Sequence, residues 1–446
     1  MSPVTRLKTF IPLTWIAAYH WVLTWFAAAY YGFPGDKLVV IGVTGTNGKT
    51  TTSYFIAKAI ETTGVKTGCT TTALLKVADR EWLNDTKNTM RGRFFIQKML
   101  RQMVDAGCQY AVIETSSQGL IQHRHVGTKY DVAVFTNLTP EHIEAHGGFE
   151  NYKHAKKRLF DHVAQRPRKQ FNGAYLPTSF VINADSEFGR FYAETVPPAE
   201  QVIWYSTTTS VAGMCAEEIR LHPDSSDFQL DGQPVHVGLP GQFNVENALA
   251  TLGTIKALGL DLTKAIDGLS RVTRVPGRVE RVEAGQPWKV MVDYAPDPES
   301  LRRLYELLAL IPYRRLIHVL GSCGGGRDVA RRPILGRMAG EKADIVIVTN
   351  EDPYDDDPWE IIHQVAAGAI EKGKLDGQNL HQVLDRREAI QLAMRLAEPG
   401  DLVVMTGKAC EPWMCIANDQ KVPWDEVGIA REAIALALAK TGESQA

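Results

Sequence analysis

Apolar residues along this chain come in short bursts separated by polar, helix-periodic stretches. Residues 37–43 (KLVVIGV) are apolar and partly β-branched and end at a glycine-bearing turn, which predicts a buried strand. Residues 49–63 then set Phe55, Ile56, Ala59 and Ile60 on one helical face ahead of Gly64, a natural C-terminal stop. Strand, turn and helix in that order open a parallel α/β sheet. Further buried-strand runs at 110–113, 132–135, 180–182 and 202–205 extend it, giving a central α/β domain over residues 37–272. Val275-Pro276-Gly277 breaks the pattern, and a second series begins beyond it. Strand-like runs at 290–294, 316–320, 345–349 and 402–406, with a helical pattern at 386–397, predict a Rossmann-like, doubly wound C-terminal domain over 273–446.

The front of the chain reads differently. Residues 9–35 contain no Asp, Glu, Lys or Arg and are rich in Trp, Tyr, Phe and Ala, so residues 1–36 are expected to form a short apolar helical segment. Its length permits a membrane span. Arg6 and Lys8 precede it, however, and would leave everything after Asp36 outside the cell, away from the nucleotide chemistry read below. A cleaved signal peptide is disfavoured, because the segment runs almost directly into the first strand. Packing on the chain or on a partner subunit, or lying at the inner membrane face, both stay open.

Composition narrows the class further. A chain of 446 residues, 44% of them apolar, can bury more than one core. A net charge of −2 with scattered basic residues gives no nucleic-acid surface, so small-molecule partners are expected. Cys69, Cys108, Cys215, Cys323, Cys410 and Cys415 lie far apart, without a C-x-x-C pair, and read as reduced thiols of a cytoplasmic protein.

Gly45-Thr46-Asn47-Gly48-Lys49-Thr50-Thr51 falls between the first strand and helix. Glycines let backbone N–H groups wrap a phosphate, and the helix N-terminus adds a favourable dipole. Lys49 neutralises terminal phosphates, and Thr50 can ligate magnesium. The loop is a variant of the usual pattern, since Val43 stands where the strict motif has its first glycine. A plain glycine turn is the competing reading, and Gly-Lys-Thr in a strand-to-helix setting weighs against it.

This form of the loop resembles that of Mur ligases and folylpolyglutamate synthases. Glu114-Thr115-Ser116-Ser117 resembles the E-x-S-S segment, and residues 136–147 (TNLTPEHIEAHG) resemble T-N-L-x-x-D-H-L-D-x-H-G. Tyr152, Ala155-Lys156 and Leu159-Phe160 continue the string as Y-x-x-A-K-x-x-L-F. The resemblance implies an ATP-dependent amide-bond ligase that activates a carboxylate as an acyl phosphate. Thr50, Glu114, His142 and a carbamylated Lys156 would hold two magnesium ions. Lys49, Glu114, His142 and Lys156 are thus the expected catalytic set. Taken alone, His142 could be a helix-start histidine and Lys156 a solvated lysine.

Residues 239–248 (LPGQFNVENA) resemble the family's G-x-F-N-x-x-N-A, which implies an adenine contact for Asn247; as residues alone, Asn244 and Asn247 could cap a helix. Arg278 after Pro276-Gly277, and Asp293-Tyr294 in VDYA, match the segments that bring an arginine to the phosphates and an aspartate to the ribose. Residues 321–336 (GSCGGGRDVARRPILG) resemble the block of the MurE-like branch, which adds the third amino acid of the peptidoglycan stem peptide. In that branch Arg327 would grip the carboxylate of the incoming amino acid.

The departures are as informative. Pro296 replaces the histidine of Y-A-H-x-P, Gln118 the histidine after E-x-S-S, and Ala409-Cys410 the Gly-His of G-K-G-H-E, which ends at Glu411. The acceptor motif D-N-P-R aligns with Glu351-Asp352-Pro353-Tyr354 and runs into Asp355-Asp356-Asp357. Without the arginine, a diamino acid such as lysine is expected over diaminopimelate. Asn88-Thr89 matches part of a donor-binding N-T-T-P that Met90 and Arg91 interrupt. With Ser116, Arg327, Glu351, Asp352 and Glu411, these two complete the expected substrate contacts. Only 44 residues precede Gly45, where the family carries a UDP-binding domain. The donor is therefore expected to be a UDP-muramyl dipeptide or a related, lipid-linked precursor. A folate-type ligase would show D-G-A-H-N-P where residues 292–298 read VDYAPDP. A Mur-like ligase or amidotransferase subunit acting on a lipid-linked precursor is the nearest rival, and a nucleotide-binding scaffold that has lost catalysis is the rival from another class.

Overall fold

The computed structural model describes residues 13–86, 88–141, 143–167, 169–171, 173–198, 200–209 and 213–443. Helix α1 (Leu13–Tyr30) lies against the body of the protein. It buries Thr24, Ala27 and Ala28, and Phe26 and Tyr30 meet the ring of Phe94 edge-on. Its other side exposes Trp15, Tyr19, Trp21 and Val22. Among the described residues, no helix is long and apolar enough to cross a membrane. Residues 9–12 of the apolar stretch lie outside the described residues.

The first sheet is built from β1 (Val39–Thr44), β2 (Thr67–Thr70), β3 (Leu74–Val77), β4 (Arg80–Leu83), β5 (Tyr110–Glu114), β6 (Val132–Phe135), β7 (Ser179–Asn183), β8 (Gln201–Ser206) and β9 (Met214–Cys215). Among the described residues its order is β9-β8-β7-β6-β1-β5-β2-β3-β4. Strand β1 is central and wholly buried because helices cover both faces, which is why it reads as one apolar run instead of alternating. Ile41 and Val43 pack with Phe55 and Ile56 of α2 (Lys49–Thr62), while Val40 joins Leu100 of α3 (Arg93–Asp105). Beyond α4 (Ser117–Ile121), α5 (Phe149–Gln165) adds Leu159 and Phe160 to that second face.

Parallel register aligns the strand ends. Val43 lies opposite Glu114 on one side and Val134 on the other, so the loops leaving β1, β5 and β6 emerge together. A small antiparallel sheet, β10 (Glu217–Leu221), β11 (Ser226–Leu230) and β12 (Gln233–Val237), completes the first face with α6 (Gln242–Ala257) and α7 (Leu262–Ser270). These strands are too short and too polar on their outer side to register as buried runs.

The second sheet has order β13-β14-β18-β15-β16-β17, from β13 (Glu280–Arg281), β14 (Lys289–Asp293), β15 (Leu316–Leu320), β16 (Ile345–Thr349), β17 (Leu380–Val383) and β18 (Leu402–Thr406). All its pairings are parallel except that of β13 with β14. Its helices are α8 (Pro298–Leu308), α9 (Arg331–Lys342), α10 (Pro358–Glu371), α11 (Arg386–Leu396) and α12 (Glu426–Glu443), and β19 (Trp413–Ile416) with β20 (Gln420–Pro423) forms a hairpin. Asp297 and Asp357 cap helices that begin with proline, satisfying N–H groups that the first turn leaves unpaired.

One ionic tie fixes the strand ends of this unit. Arg386, fully buried, donates to both carboxylate oxygens of Glu426 and to the carbonyl oxygens of Thr406 (2.8 Å), the last residue of β18, and Asn350 (3.4 Å), just past β16. Replacing the guanidinium with an apolar chain leaves a buried carboxylate unmatched. Arg386→Met is expected to lower unfolding stability by about 3–5 kcal/mol, read from urea titration. His318, buried on β15 between the Tyr305 hydroxyl (2.7 Å) and Thr406 Oγ1 (2.9 Å), is held down to about 3, chiefly by burial and then by Arg386. The native state thus binds fewer protons than the unfolded chain, so this stability is present above the ordinary histidine value and is lost as pH falls from about 6.5 toward 3. His318→Gln should flatten that slope in acid-titrated melting curves.

Candidate active site

The turn after β1 is shaped by lack of space. A Cβ on Gly45 would stand 1.9 Å from Thr136 Oγ1 and 2.9 Å from the Asn137 carbonyl oxygen, and Gly48 has φ +81° with Asn247 Oδ1 close by. Asn137 then pins the turn: its Oδ1 accepts from the Asn47 N–H (2.9 Å), and its Nδ2 donates to the Asn47 carbonyl (3.2 Å). Lys49 folds over the loop, Nζ donating to the Thr46 carbonyl at 2.5 Å.

At the end of β5, Glu114 is buried and accepts from Thr50 Oγ1 (2.9 Å), the Thr72 N–H (2.7 Å) and Thr72 Oγ1 (2.9 Å). Neighbouring oxygens around octahedral magnesium lie about 2.9 Å apart, so Thr50 and Glu114 are spaced to share one ion. Lys156, on α5, is buried beneath the loop. Its Nζ donates to the Gly45 carbonyl (2.7 Å) and sits 4.3 Å from the Tyr152 ring centroid. Burial, then repulsion from Lys49, holds this amine well below the usual lysine range. An unprotonated amine is the form that carbon dioxide can carbamylate, so the chemistry of Lys156 fits that modification. His142 lies outside the described residues.

The C-terminal unit forms the facing wall. Arg278 stacks 4.8 Å from the Tyr294 ring centroid and reaches Thr50 Oγ1 at 3.4 Å. Asp293, raised by burial against the pull of Arg278, accepts from the N–H groups of Val279 (2.7 Å) and Ala295 (2.9 Å). From α8, the Ser300 hydroxyl donates to Asp297 and lies 3.0 Å from the Asn47 side-chain amide, and Arg303 pairs with Glu246 at 2.9 Å. Elsewhere between the two units, Trp413 Nε1 donates to the Asp85 carbonyl at 2.8 Å.

One cleft between the two units is lined by Thr46, Asn47, Gly48, Lys49, Thr50, Thr51, Thr89, Glu114, Asn247, Arg278, Asp293, Tyr294 and Arg327. Gly45 and Lys156 do not line it and are joined to each other by the Lys156 bond to the Gly45 carbonyl oxygen. Asn247 does not cap its helix: Nδ2 donates to Asn244 Oδ1 (3.1 Å), while Oδ1 accepts from Thr52 on α2 (3.0 Å). Asn244 instead donates to the Pro240 carbonyl at 2.8 Å. Other expected contacts lie off the cleft. Asn88 is exposed, and Ser116 Oγ caps α4 by accepting from Gly119. Glu351 accepts from the Cys323 thiol (2.7 Å), which burial and Glu351 push upward. Asp352 and Glu411 both pair with Lys408, at 3.3 and 3.1 Å. Cys323, Glu351 and Asp352 cluster as metal ligands can, but Lys408 already supplies a cation beside Asp352.

The sequence reading did not single out Thr72, Glu141, Phe243, Ser300 or Arg303, all of which line the cleft. Ser300 and Arg303 follow the Asp297-Pro298 helix start at one-turn spacing and could have been found there. Thr72 sits in a turn whose position depends on how β2 and β3 pair, and it carries no local signal.

Residues 43–255 match the Mur ligase middle domain, and residues 277–409 match the Mur ligase glutamate ligase domain. A UDP-N-acetylmuramyl-tripeptide synthetase of Roseiflexus sp. (strain RS-1) is 40% identical over 419 residues, 92% of this chain and 81% of the relative. A UDP-N-acetylmuramoyl-L-alanyl-D-glutamate--2,6-diaminopimelate ligase of Geobacillus kaustophilus (strain HTA426) is 35% identical over 434 residues, 96% of this chain and 85% of its own. A solved structure of a ligase with that same diaminopimelate description superposes with a TM-score of 0.58 at 30% identity, covering 90% of this chain and 78% of that one. Folylpolyglutamate synthase of Mycobacterium tuberculosis, at 19% identity and TM-score 0.66 over 96% and 95% of the two chains, shares the fold. The chain belongs to the Mur ligase family and is an ATP-dependent acid–amino-acid ligase.

Gly45 gives the direct test of the loop. Gly45→Ala drives a methyl group into the Thr136 hydroxyl and the Asn137 backbone, and the strain should weaken binding of a fluorescent ATP analogue roughly ten-fold or more while far-ultraviolet circular dichroism stays unchanged.

Proposed function

We propose that this ligase adds the third amino acid, a diamino acid such as lysine, to a UDP-N-acetylmuramoyl-L-Ala-D-Glu donor in peptidoglycan synthesis. The observation that carries the reading is the meeting of Lys49, Thr50 and Glu114 with Thr89 and Arg327 in one cleft between the two units. The named activities of the relatives support the same donor. We take the units to divide at residues 272 and 273.

In this reading the phosphate loop and the N-terminus of α2 bind the ATP phosphates, Lys49 neutralises the terminal one, and Arg278 approaches from the other wall. Asn247 contacts adenine, and Asp293 with Tyr294 faces the ribose. Thr50, Glu114, His142 and carbamylated Lys156 would hold two magnesium ions, whose charge screens the phosphates from the attacking carboxylate. Thr89, with Asn88 and Ser116, orients the donor so that its carboxylate takes the terminal phosphoryl group and ADP leaves. Arg327 holds the acceptor carboxylate. The acceptor amine then displaces phosphate from the acyl phosphate and loses a proton, giving the amide.

Acceptor choice follows from residues 351–357 and 411. Tyr354 stands where a second guanidinium would bind a distal carboxylate, and Asp355, Asp356 and Asp357 leave the region acidic, while Lys408 matches Asp352 and Glu411. A distal ammonium suits it better. The exposed aromatic residues of α1 favour a peripheral contact, at the inner membrane face or with a second subunit, which would suit a lipid-linked donor.

Purified protein given ATP, magnesium, UDP-muramyl dipeptide and a mixture of amino acids is expected to release phosphate only when donor and amine are both present. Mass spectrometry should find lysine or another single-carboxylate diamine in the product. Preference for diaminopimelate would reject the acceptor assignment, and phosphate release indifferent to both substrates would reject the ligase reading. Activity with a lipid-linked donor alone would reassign the carrier.

A further inference from the structure

Glu114 receives more hydrogen bonds than a magnesium ligand at a strand end needs, and two of them come from one residue of a different loop. The Thr72 N–H reaches Oε2 at 2.7 Å, and the Thr72 hydroxyl reaches Oε1 at 2.9 Å. The same hydroxyl lies 2.7 Å from Thr89 Oγ1. A threonine hydroxyl has one proton, and a carboxylate only accepts. The Thr72 proton therefore goes to Glu114, and the proton between the two hydroxyls belongs to Thr89. Thr89, Thr72 and Glu114 form a directed chain in which each donor strengthens the next.

We infer that Thr72 is a positioning residue coupling the donor loop to the metal-binding carboxylate. It rests on the reading of Glu114 as a magnesium ligand and Thr89 as a donor contact. Two bonds from Thr72 fix both oxygens of Glu114, so the carboxylate cannot rotate about its own axis when Thr50 turns its lone pair to an ion. The third bond fixes Thr89 relative to that plane. Metal occupancy and donor binding are then linked through one side chain, and each should tighten the other by the same factor.

Thr72→Val keeps the backbone N–H bond and the side-chain shape and removes only the hydroxyl, while Thr72→Ser keeps the hydroxyl. Binding of a non-hydrolysable ATP analogue, titrated with magnesium in a calorimeter, reads metal affinity without turnover. Thr72→Val should need roughly ten-fold more magnesium for half-saturation, with Thr72→Ser close to the parent protein. Donor KM should rise in Thr72→Val, and addition of donor should no longer lower its magnesium requirement. Thr89→Val, which leaves the Glu114 bonds intact, should raise donor KM and abolish the lowering of the magnesium requirement by donor while changing that requirement little in the absence of donor. It supplies the test if Thr72→Val does not fold, and a donor effect as large as that of the parent protein overturns the inference. Unchanged magnesium dependence in Thr72→Val, or equal loss in Thr72→Ser, overturns the inference while leaving the ligase reading intact. Failure of the parent protein to bind the analogue in a magnesium-dependent way overturns both.

Discussion

The site depends on one constraint: three parallel strands must end at the same level. With β5, β1 and β6 in register, Glu114, the phosphate loop and Thr136-Asn137 emerge side by side, and no residue needs to reach far. A slip of one residue would turn Glu114 to the other face of the sheet and carry Thr136 away from Gly45. Helices on both faces prevent this, since every residue of β1 is buried and neither side of the strand can exchange with the other. Core packing and catalytic geometry are therefore a single requirement in this domain.

Much of this was legible in the amino-acid order because buried parallel strands leave compact apolar runs and glycine-bearing turns leave fixed spacings. Residues 45–51 could be read as a phosphate loop from their own chemistry, whereas Glu114 was marked by its resemblance to the family's E-x-S-S segment. What the sequence hid are contacts made by chain folding back on itself. Thr72 meets Glu114 across 42 residues, and Ser300 meets Asn47 across 253, with nothing local to mark either. The short outer strands β10 to β12 were equally silent, because half of their residues face solvent and the rest join a core assembled mainly by helices.

Several residues singled out for chemistry turn out to serve architecture in the geometry observed. Ser116 caps a helix, and Glu351 and Asp352 are buried against Cys323 and Lys408. Burial does not remove Glu351 from an influence on ligands, since its charge still acts on Arg327, which lines the cleft. A residue can thus set the electrostatics of a cleft without lining it, and a linear motif cannot distinguish the two roles.

Several contacts from different elements bridge the two units, among them Ser300 to Asn47, Arg303 to Glu246, Arg278 to Thr50 and Trp413 to Asp85. Two bodies fastened at several points cannot swing apart about any one of them without straining the rest. Exchange of a spent nucleotide therefore asks for these fastenings to let go in one event, so the enzyme would alternate between shut and gaping forms with little population between them.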